Sequence, residues 1–196
     1  MQIKLCALDE QLQLAWEEAF ADVPEVEVIR GNILHLEADA IVSPANSFGY
    51  MDGGIDLVYS EFFGWEVEER LRRVLLEQFQ GELLVGQAVI VPTEHERFPW
   101  LISAPTMRVP MCVDQTVNAM LAFRATLNAV LRHNDVSSDS PIGNIVCPGL
   151  GTGEGRMPPE RCARQMRYAW EVVVIGHRER KGGLANAVQH HMHLLE

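Results

Sequence analysis

Apolar residues recur along this chain in two alternating patterns, short unbroken runs and longer stretches with helical spacing. Residues 2–8 (QIKLCAL), 25–32 (EVEVIRGN), 39–44 (DAIVSP), 87–93 (QAVIVPT), 100–106 (WLISAPT) and 144–149 (NIVCPG) are the short runs, several of them bounded by Gly, Pro or Asn, as buried strands are. Asp9 precedes a helical stretch through about Phe20 and can cap it by accepting a first-turn N–H. Over 65–79, Val67, Leu71, Val74, Leu75 and Gln78 follow helical spacing, with charges on the other face. Asp114 is placed to cap the longest helix, about 115–133, whose expected inner face is Val117, Met120, Leu121, Leu127, Val130 and Leu131. After a polar surface loop (134–143), Pro158-Pro159 opens a helix with Cys162, Met166 and Trp170; residues 171–175 either extend it or add a strand. Past the hydrophilic break RERKGG (178–183), Leu184, Ala187, Val188, His191, Met192 and Leu195 predict a short terminal helix, 184–195. Strands alternating with helices, with no internal repeat, predict one α/β domain over residues 1–196, a three-layer α/β/α sandwich.

Two loops break this rhythm, each directly after a buried strand. The first, 44–56, holds Pro44, Asn46, Gly49, Asp52, Gly53, Gly54 and Asp56; the second, PGLGTGEGRMPP, alternates Gly149, Gly151, Gly153 and Gly155 before a helix start. In open α/β sheets, ligands bind beyond the carboxyl ends of strands. Glycines let the backbone approach a ligand and aim successive N–H groups at an anion, and a helix N-terminus adds favourable potential for phosphate. The second loop has no GK[ST], and Arg156 stands where G-x-G-x-x-G would need its last glycine, so neither a P-loop nor the dinucleotide fingerprint is present.

Composition narrows the choice of ligand. Hydrophobic residues make 47% of the chain and charged residues 22%, an ordinary globular balance. Sixteen basic against 27 acidic residues leave a net charge of −11, which argues against nucleic acid and leaves the holding of phosphate to backbone N–H groups. No apolar run approaches the ~20 residues of a membrane span, and no signal-peptide pattern opens the sequence. Cys6, Cys112, Cys147 and Cys162 lack zinc spacing and read as reduced packing residues of a cytoplasmic protein. His190, His191 and His193 have no accompanying Cys or carboxylate cluster, so no metal is expected.

RGNI (30–33), DAIVSPAN (39–46), DGGID (52–56) and PGLGTGEG (148–155) resemble, in order and spacing, the signature segments of the macrodomain family, and APTMRVP (104–110) is similar to a segment of bacterial and phage-type members. The resemblance covers about residues 25–175. It implies a central mixed sheet and an ADP-ribose cleft along the strand ends, with no cofactor. Family members read free or protein-linked ADP-ribose, hydrolyse ADP-ribosyl links, or process ADP-ribose 1''-phosphate. On the matching positions, Asn32 would bond the adenine amino group in place of the usual aspartate, and Ile33 would offer backbone contacts. Asn46 matches the asparagine near the distal ribose, with Ser47 beside it. Gly53, Gly54 and Ile55 would approach the distal ribose and phosphate, and Gly149, Leu150, Gly151, Thr152 and Gly153 would wrap the diphosphate. Asp56 matches an aspartate that helps position or activate water in hydrolytic members.

Departures from the pattern matter too. Ser43 and Pro44 replace the small, amide-bearing run before the matched asparagine, and Ser60 falls where some hydrolytic members have a histidine. The second loop lacks the aromatic that often flanks the distal ribose; Phe48 or Tyr50 either stands in for it or anchors the first loop. Hydrolysis of a ribosyl link develops positive charge on the sugar, which a carboxylate and an oriented water would assist. Asp52 and Asp56 are the carboxylates in the right loop. They could face one way if their stretch is a helical turn; otherwise Asp52 is a turn residue and Asp56 the N-cap of the next helix. The expectation is therefore an ADP-ribose-directed hydrolase acting through Asn46 and Asp56, with a non-catalytic ADP-ribose-binding module as the alternative.

Overall fold

The computed structural model describes residues 1–137, 139–177 and 183–196. Its elements in chain order are β1 (Gln2–Ala7), α1 (Glu10–Ala19), β2 (Val26–Arg30), β3 (Ala40–Ser43), α2 (Gly54–Phe63), α3 (Glu66–Phe79), β4 (Val89–Pro92), β5 (Trp100–Ser103), α4 (Asn118–Val136), β6 (Asn144–Cys147), α5 (Pro159–Trp170) and α6 (Gly183–Leu195). A 3-10 turn at Ile33–His35 follows β2, and a π-helical turn at Glu171–Ile175 continues α5. Among the described residues the strands form one mixed sheet in the order β2-β1-β6-β3-β5-β4, parallel throughout except for the antiparallel edge strand β4.

Alternation along each strand divides the core. Ile3, Leu5, Ala7, Val42, Ile102, Ile145 and Cys147 face the layer of α1, α4 and α5. Cys6, Ile41, Leu101 and Val146 face α2 and α3. Burial on both faces is why the central strands read as continuous apolar runs. Asp9 caps α1 as expected, its carboxylate accepting the Leu12 N–H at 2.9 Å.

Several local expectations need correction. The helix expected to follow the first loop is α2 (GIDLVYSEFF), which starts at Gly54, ahead of Asp56; it presents little polar face from which periodicity could set its bounds. In α3, Val67, Leu71 and Leu75 are buried but Gln78 is exposed. The helix α4 starts at Asn118, and Asp114 is not its cap: Thr116 Oγ1 accepts the Asn118 N–H at 3.2 Å, while the Asp114 carbonyl takes Arg161. Its inner face is rotated toward Ala119, Ala122, Phe123, Thr126, Leu127 and Val130, leaving Leu131 exposed; small side chains let the helix settle against α5 and the sheet. It also runs to Val136, into the expected polar loop, where the Asn134 amide brackets the backbone of Ile142. Residues 171–175 extend α5 and add no strand. Leu184, Val188, His191 and Met192 of α6 are exposed, and Leu194 is the buried side chain of that helix. The expected break at 178–183 lies, apart from Gly183, outside the described residues.

One buried amide joins three of these elements. Gln165 of α5 is fully buried; its Nε2 donates to the carbonyls of Thr116 (2.8 Å) and Leu194 (3.0 Å), and its Oε1 accepts the Met120 N–H (3.2 Å). Cys6, Cys147 and Cys162 are buried, Cys112 is exposed, and all four thiols are free. Among the described residues no helix is long and apolar enough to cross a membrane.

The residue after α3 supplies a test of backbone strain. Gln80 closes the helix in the left-handed conformation, φ +54°, its N–H reaching Leu75 O. Left-handed backbone strains any residue with a Cβ. Gln80→Gly is expected to stabilise the fold by about 0.5–1 kcal/mol, seen as a rise of about 2–3 °C in thermal midpoint. A fall in midpoint would show that contacts of the Gln80 side chain outweigh the strain.

Candidate functional site

Strands β3 and β6 are hydrogen-bonded neighbours, with Ala40 opposite Ile145 and Ile41 opposite Val146. The chain leaving β6 passes to α5 on one face of the sheet; the chain leaving β3 passes to α2 on the other. Where neighbouring parallel strands diverge in this way, a crevice opens beyond their carboxyl ends. The loop after β3 forms one lip of the crevice and the glycine loop after β6 the other.

The first lip is pinned by its own polar groups. Asn46 Nδ2 donates to Tyr50 O (2.7 Å), and its Oδ1 accepts the N–H of Phe48 (3.1 Å) and Tyr50 (3.4 Å). Asn46 is half-buried. Ser47 is buried, its N–H bonded to Arg108 O (3.1 Å) and its carbonyl to Leu83 N–H (2.8 Å), so it holds the lip and does not face outward. Phe48 lies under the Arg108 guanidinium (5.0 Å) and Tyr50 under that of Arg72 (4.3 Å), which favours anchoring for both rings. The exposed end of the lip is Asp52-Gly53-Gly54. Gly53 is the N-cap of α2, Gly54 adopts φ +58°, and a Cβ on either would meet nothing within 4 Å. The first N–H groups of α2 have no partner inside the helix and open into this space.

In the second lip, Gly149, Gly151 and Gly155 are packed and Gly153 is open; a Cβ on Gly149 would lie 2.8 Å from Leu12 Cδ2. A Cβ on Gly155 would lie 2.5 Å from Gly151 O and 2.6 Å from Val113 Cγ2, whereas one on Gly153 would meet nothing within 4 Å. Gly151, at φ +73°, accepts Met157 N–H (2.9 Å), and Gly155 accepts Val113 N–H (2.8 Å). Among the described residues no backbone carbonyl takes the N–H of Thr152, Gly153 or Glu154. Leu150 is a core residue whose carbonyl accepts the Cys162 thiol, so only its backbone belongs to the lip.

Asp56 lies in the first turn of α2, turned toward the end of β3. It is not the N-cap: Gly53 is. Extended Gly53 separates exposed Asp52 from Asp56, which keeps 6% of its surface open, so the shared carboxylate face does not form. Asp56 Oδ1 accepts the Ser43 hydroxyl at 2.6 Å. Burial pushes its carboxyl from the ordinary 3.8 up to about 7; the Ser43 hydrogen bond opposes the shift and the charge of Glu68 adds to it. Ser60 is fully buried and donates to Met51 O (2.9 Å), a structural task.

Asn32 lies at the same sheet edge, two strands from β6, exposed, with its Oδ1 accepting Leu34 N–H (2.9 Å); a second lone pair and both amide hydrogens stay open. The Ile33 side chain is in the core, and its carbonyl accepts Leu36 N–H (3.2 Å). Two shallow hollows, about 500 Å³ beside Glu17, Phe20, Asp22 and Val26 and about 320 Å³ beside Lys4, Asp39, Arg97 and Asn144, flank the amino ends of strands. The acidic rim of the first and the three carboxylates of the second suit a phosphate ligand less well than the open crevice does. Among the described residues no group of three or more His, Cys, Asp or Glu is placed to hold a metal. Glu68 and Met51 were not among the expected site residues, and Ser43 was expected only as a departure from the pattern before Asn46, not as the partner of Asp56.

A mixed sheet between helical layers, with glycine lips at the point where the crossovers diverge, defines an α/β protein with an open crevice at the carboxyl edge of its sheet. Residues 42–166 match the Macro domain family, and the chain belongs to it. An uncharacterized protein of Aquifex aeolicus is 33% identical over 142 residues, which span 72% of this chain and 78% of its own. The macrodomain of Mycobacterium tuberculosis DarG superposes with a TM-score of 0.59 at 20% identity, covering 72% of this chain and 86% of that one. A mutant of the Oceanobacillus iheyensis macrodomain with ADPR superposes at 0.56 and 18% identity, covering 70% and 73%.

Two outcomes follow from this geometry. Gly155→Ala is expected to destabilise the protein by about 1–3 kcal/mol through overpacking, while Gly153→Ala leaves the thermal midpoint within about 1 °C. Equal effects would mean that the loop is not packed on Val113 as described. For Asp56, a raised folded-state pKa means that ionisation opposes folding: the penalty is absent below about pH 4, grows toward pH 7, and reaches about 4 kcal/mol above it. Asp56→Asn, whose Oδ1 can still accept from Ser43, should raise the unfolding midpoint at pH 8 and leave it nearly unchanged at pH 4. An equal gain at both would locate the effect in packing and not in charge.

Proposed function

We propose that the crevice between the β3 and β6 loops binds ADP-ribose, free or attached to a substrate. The observation that carries this reading is the pairing of two open glycine segments, Gly53-Gly54 and Thr152-Gly153, at the ends of adjacent strands that diverge to opposite faces. Backbone N–H groups from α2 and the second lip would take the diphosphate, as an acidic protein with few free cations at the site requires. Asn32 would meet the adenine, with Ile33 offering backbone contacts. Asn46 and Ile55 would border the distal ribose. Family membership and the ADPR in the Oceanobacillus homologue support the ligand class.

For the chemistry, the favoured reading is hydrolysis of an ADP-ribosyl link or of ADP-ribose 1''-phosphate. A carboxyl titrating near neutrality suits proton transfer to or from a water at physiological pH, and Asp56 is such a group. Asn46 would orient the ribose with its remaining amide hydrogen. One observation favours the alternative, a binding module without turnover: Asn46 is largely engaged by its own loop, and Asp56 is nearly closed off from solvent.

Calorimetric titration with ADP-ribose, with AMP as control, tests the ligand. Micromolar affinity that AMP does not match is expected; no heat and no thermal shift would remove the reading. In the catalytic version, Asp56→Ala abolishes turnover and leaves ADP-ribose affinity within about tenfold. Loss of both together would assign Asp56 to structure.

A further inference from the structure

Met51 is fully buried although it lies between exposed Tyr50 and exposed Asp52. Both of its peptide groups are held by side chains from different helices. Glu68 Oε2 of α3 accepts the Met51 N–H at 2.6 Å, and Ser60 Oγ of α2 donates to the Met51 carbonyl at 2.9 Å. The Glu68 side chain is 17% exposed, and Arg72, one turn further along α3, lies 3.8 Å from its other oxygen while covering the Tyr50 ring. Immediately downstream are Asp52, Gly53 and Gly54, which are exposed, and a Cβ on either glycine would meet nothing within 4 Å. Two successive glycines are also the freest backbone a chain can present. Their position is therefore inherited from Met51 on one side and from α2 on the other. An N–H held by a carboxylate is a shorter, stronger bond than one held by a neutral acceptor, so Glu68 is the firmer half of the grip.

We propose that Glu68 is a positioning residue of the crevice: through Met51 it sets where the Asp52–Ile55 lip stands, and so how well that lip meets a ligand. The ligand part of this inference rests on the ADP-ribose reading above; the positioning part does not. Amide hydrogen exchange without ligand tests the latter. Glu68→Ala is expected to speed exchange over residues 49–55 by about tenfold or more, and Glu68→Gln, which keeps an acceptor for the Met51 N–H, should stay within about threefold of the parent. Should Glu68→Ala not fold, Ser60→Ala removes the other half of the grip and is expected to loosen the same segment. Unchanged exchange over 49–55 in whichever of these variants folds would overturn the proposal. In parallel titrations with ADP-ribose, Glu68→Ala should bind about tenfold more weakly and Glu68→Gln nearly as the parent does. Parent-like binding by Glu68→Ala would overturn the link from lip to ligand. A parent that does not bind ADP-ribose at all would instead sink the functional reading, with hydrogen exchange still deciding the role of Glu68.

Discussion

Everything at the carboxyl edge of the sheet follows from one topological conflict: β3 and β6 hydrogen-bond side by side, yet their outgoing chains must reach opposite faces. No helix can cover both strand ends at once, so the space above them stays open. Backbone leaving the strands there cannot satisfy its N–H groups in a ladder, and a helix start leaves more of them unpaired. Glycine gathers at this edge because the chain must turn sharply without filling the gap. Gly151 and Gly155 meet the packing side of that demand, and Gly53 and Gly153 the open side.

Against this open edge the molecule sets a closed one. Below the lips, Ser43, Asp56 and Ser60 are polar groups buried in what is otherwise the apolar face of α2 and α3, and each has a partner. A buried carboxyl and a hydroxyl at short distance hold the first turn of α2 to the end of β3. The arrangement opposes ionisation of Asp56, a destabilising feature of the kind that proteins tolerate chiefly where a site needs it.

How much of this could be read from residues alone depends on the range of the interaction. The alternation of buried strands and amphipathic helices is written in local periodicity, and Asp9 before α1 is a cap by residue type and position. The two glycine loops stood out because glycine has a meaning of its own in the backbone. By contrast the start and the buried face of α2 were not legible: its sequence begins with glycine and runs through Ile55, Leu57, Val58, Tyr59, Phe62 and Phe63, which leaves little polar stripe to count. The α4 face was misplaced for the opposite reason, since its small residues Ala119, Ala122 and Thr126 carry weak hydrophobic signal yet lie innermost. Residues such as Ser43 and Asp56, thirteen apart, and Met51 and Glu68, seventeen apart, meet only because the sheet and two helices bring them together. No spacing rule reports such contacts.

The Gln165 amide gives the end of the chain a mechanical connection to the crevice. Its Nε2 binds the last turn of α6 at Leu194 and the segment before α4 at Thr116; Thr116 Oγ1 in turn donates to Val113 O, and the Val113 N–H reaches Gly155 in the glycine lip. A displacement of the last turn of α6 therefore loads the same train of hydrogen bonds that braces the second lip. A single buried glutamine is thus the joint through which α6 and the glycine lip share one load path.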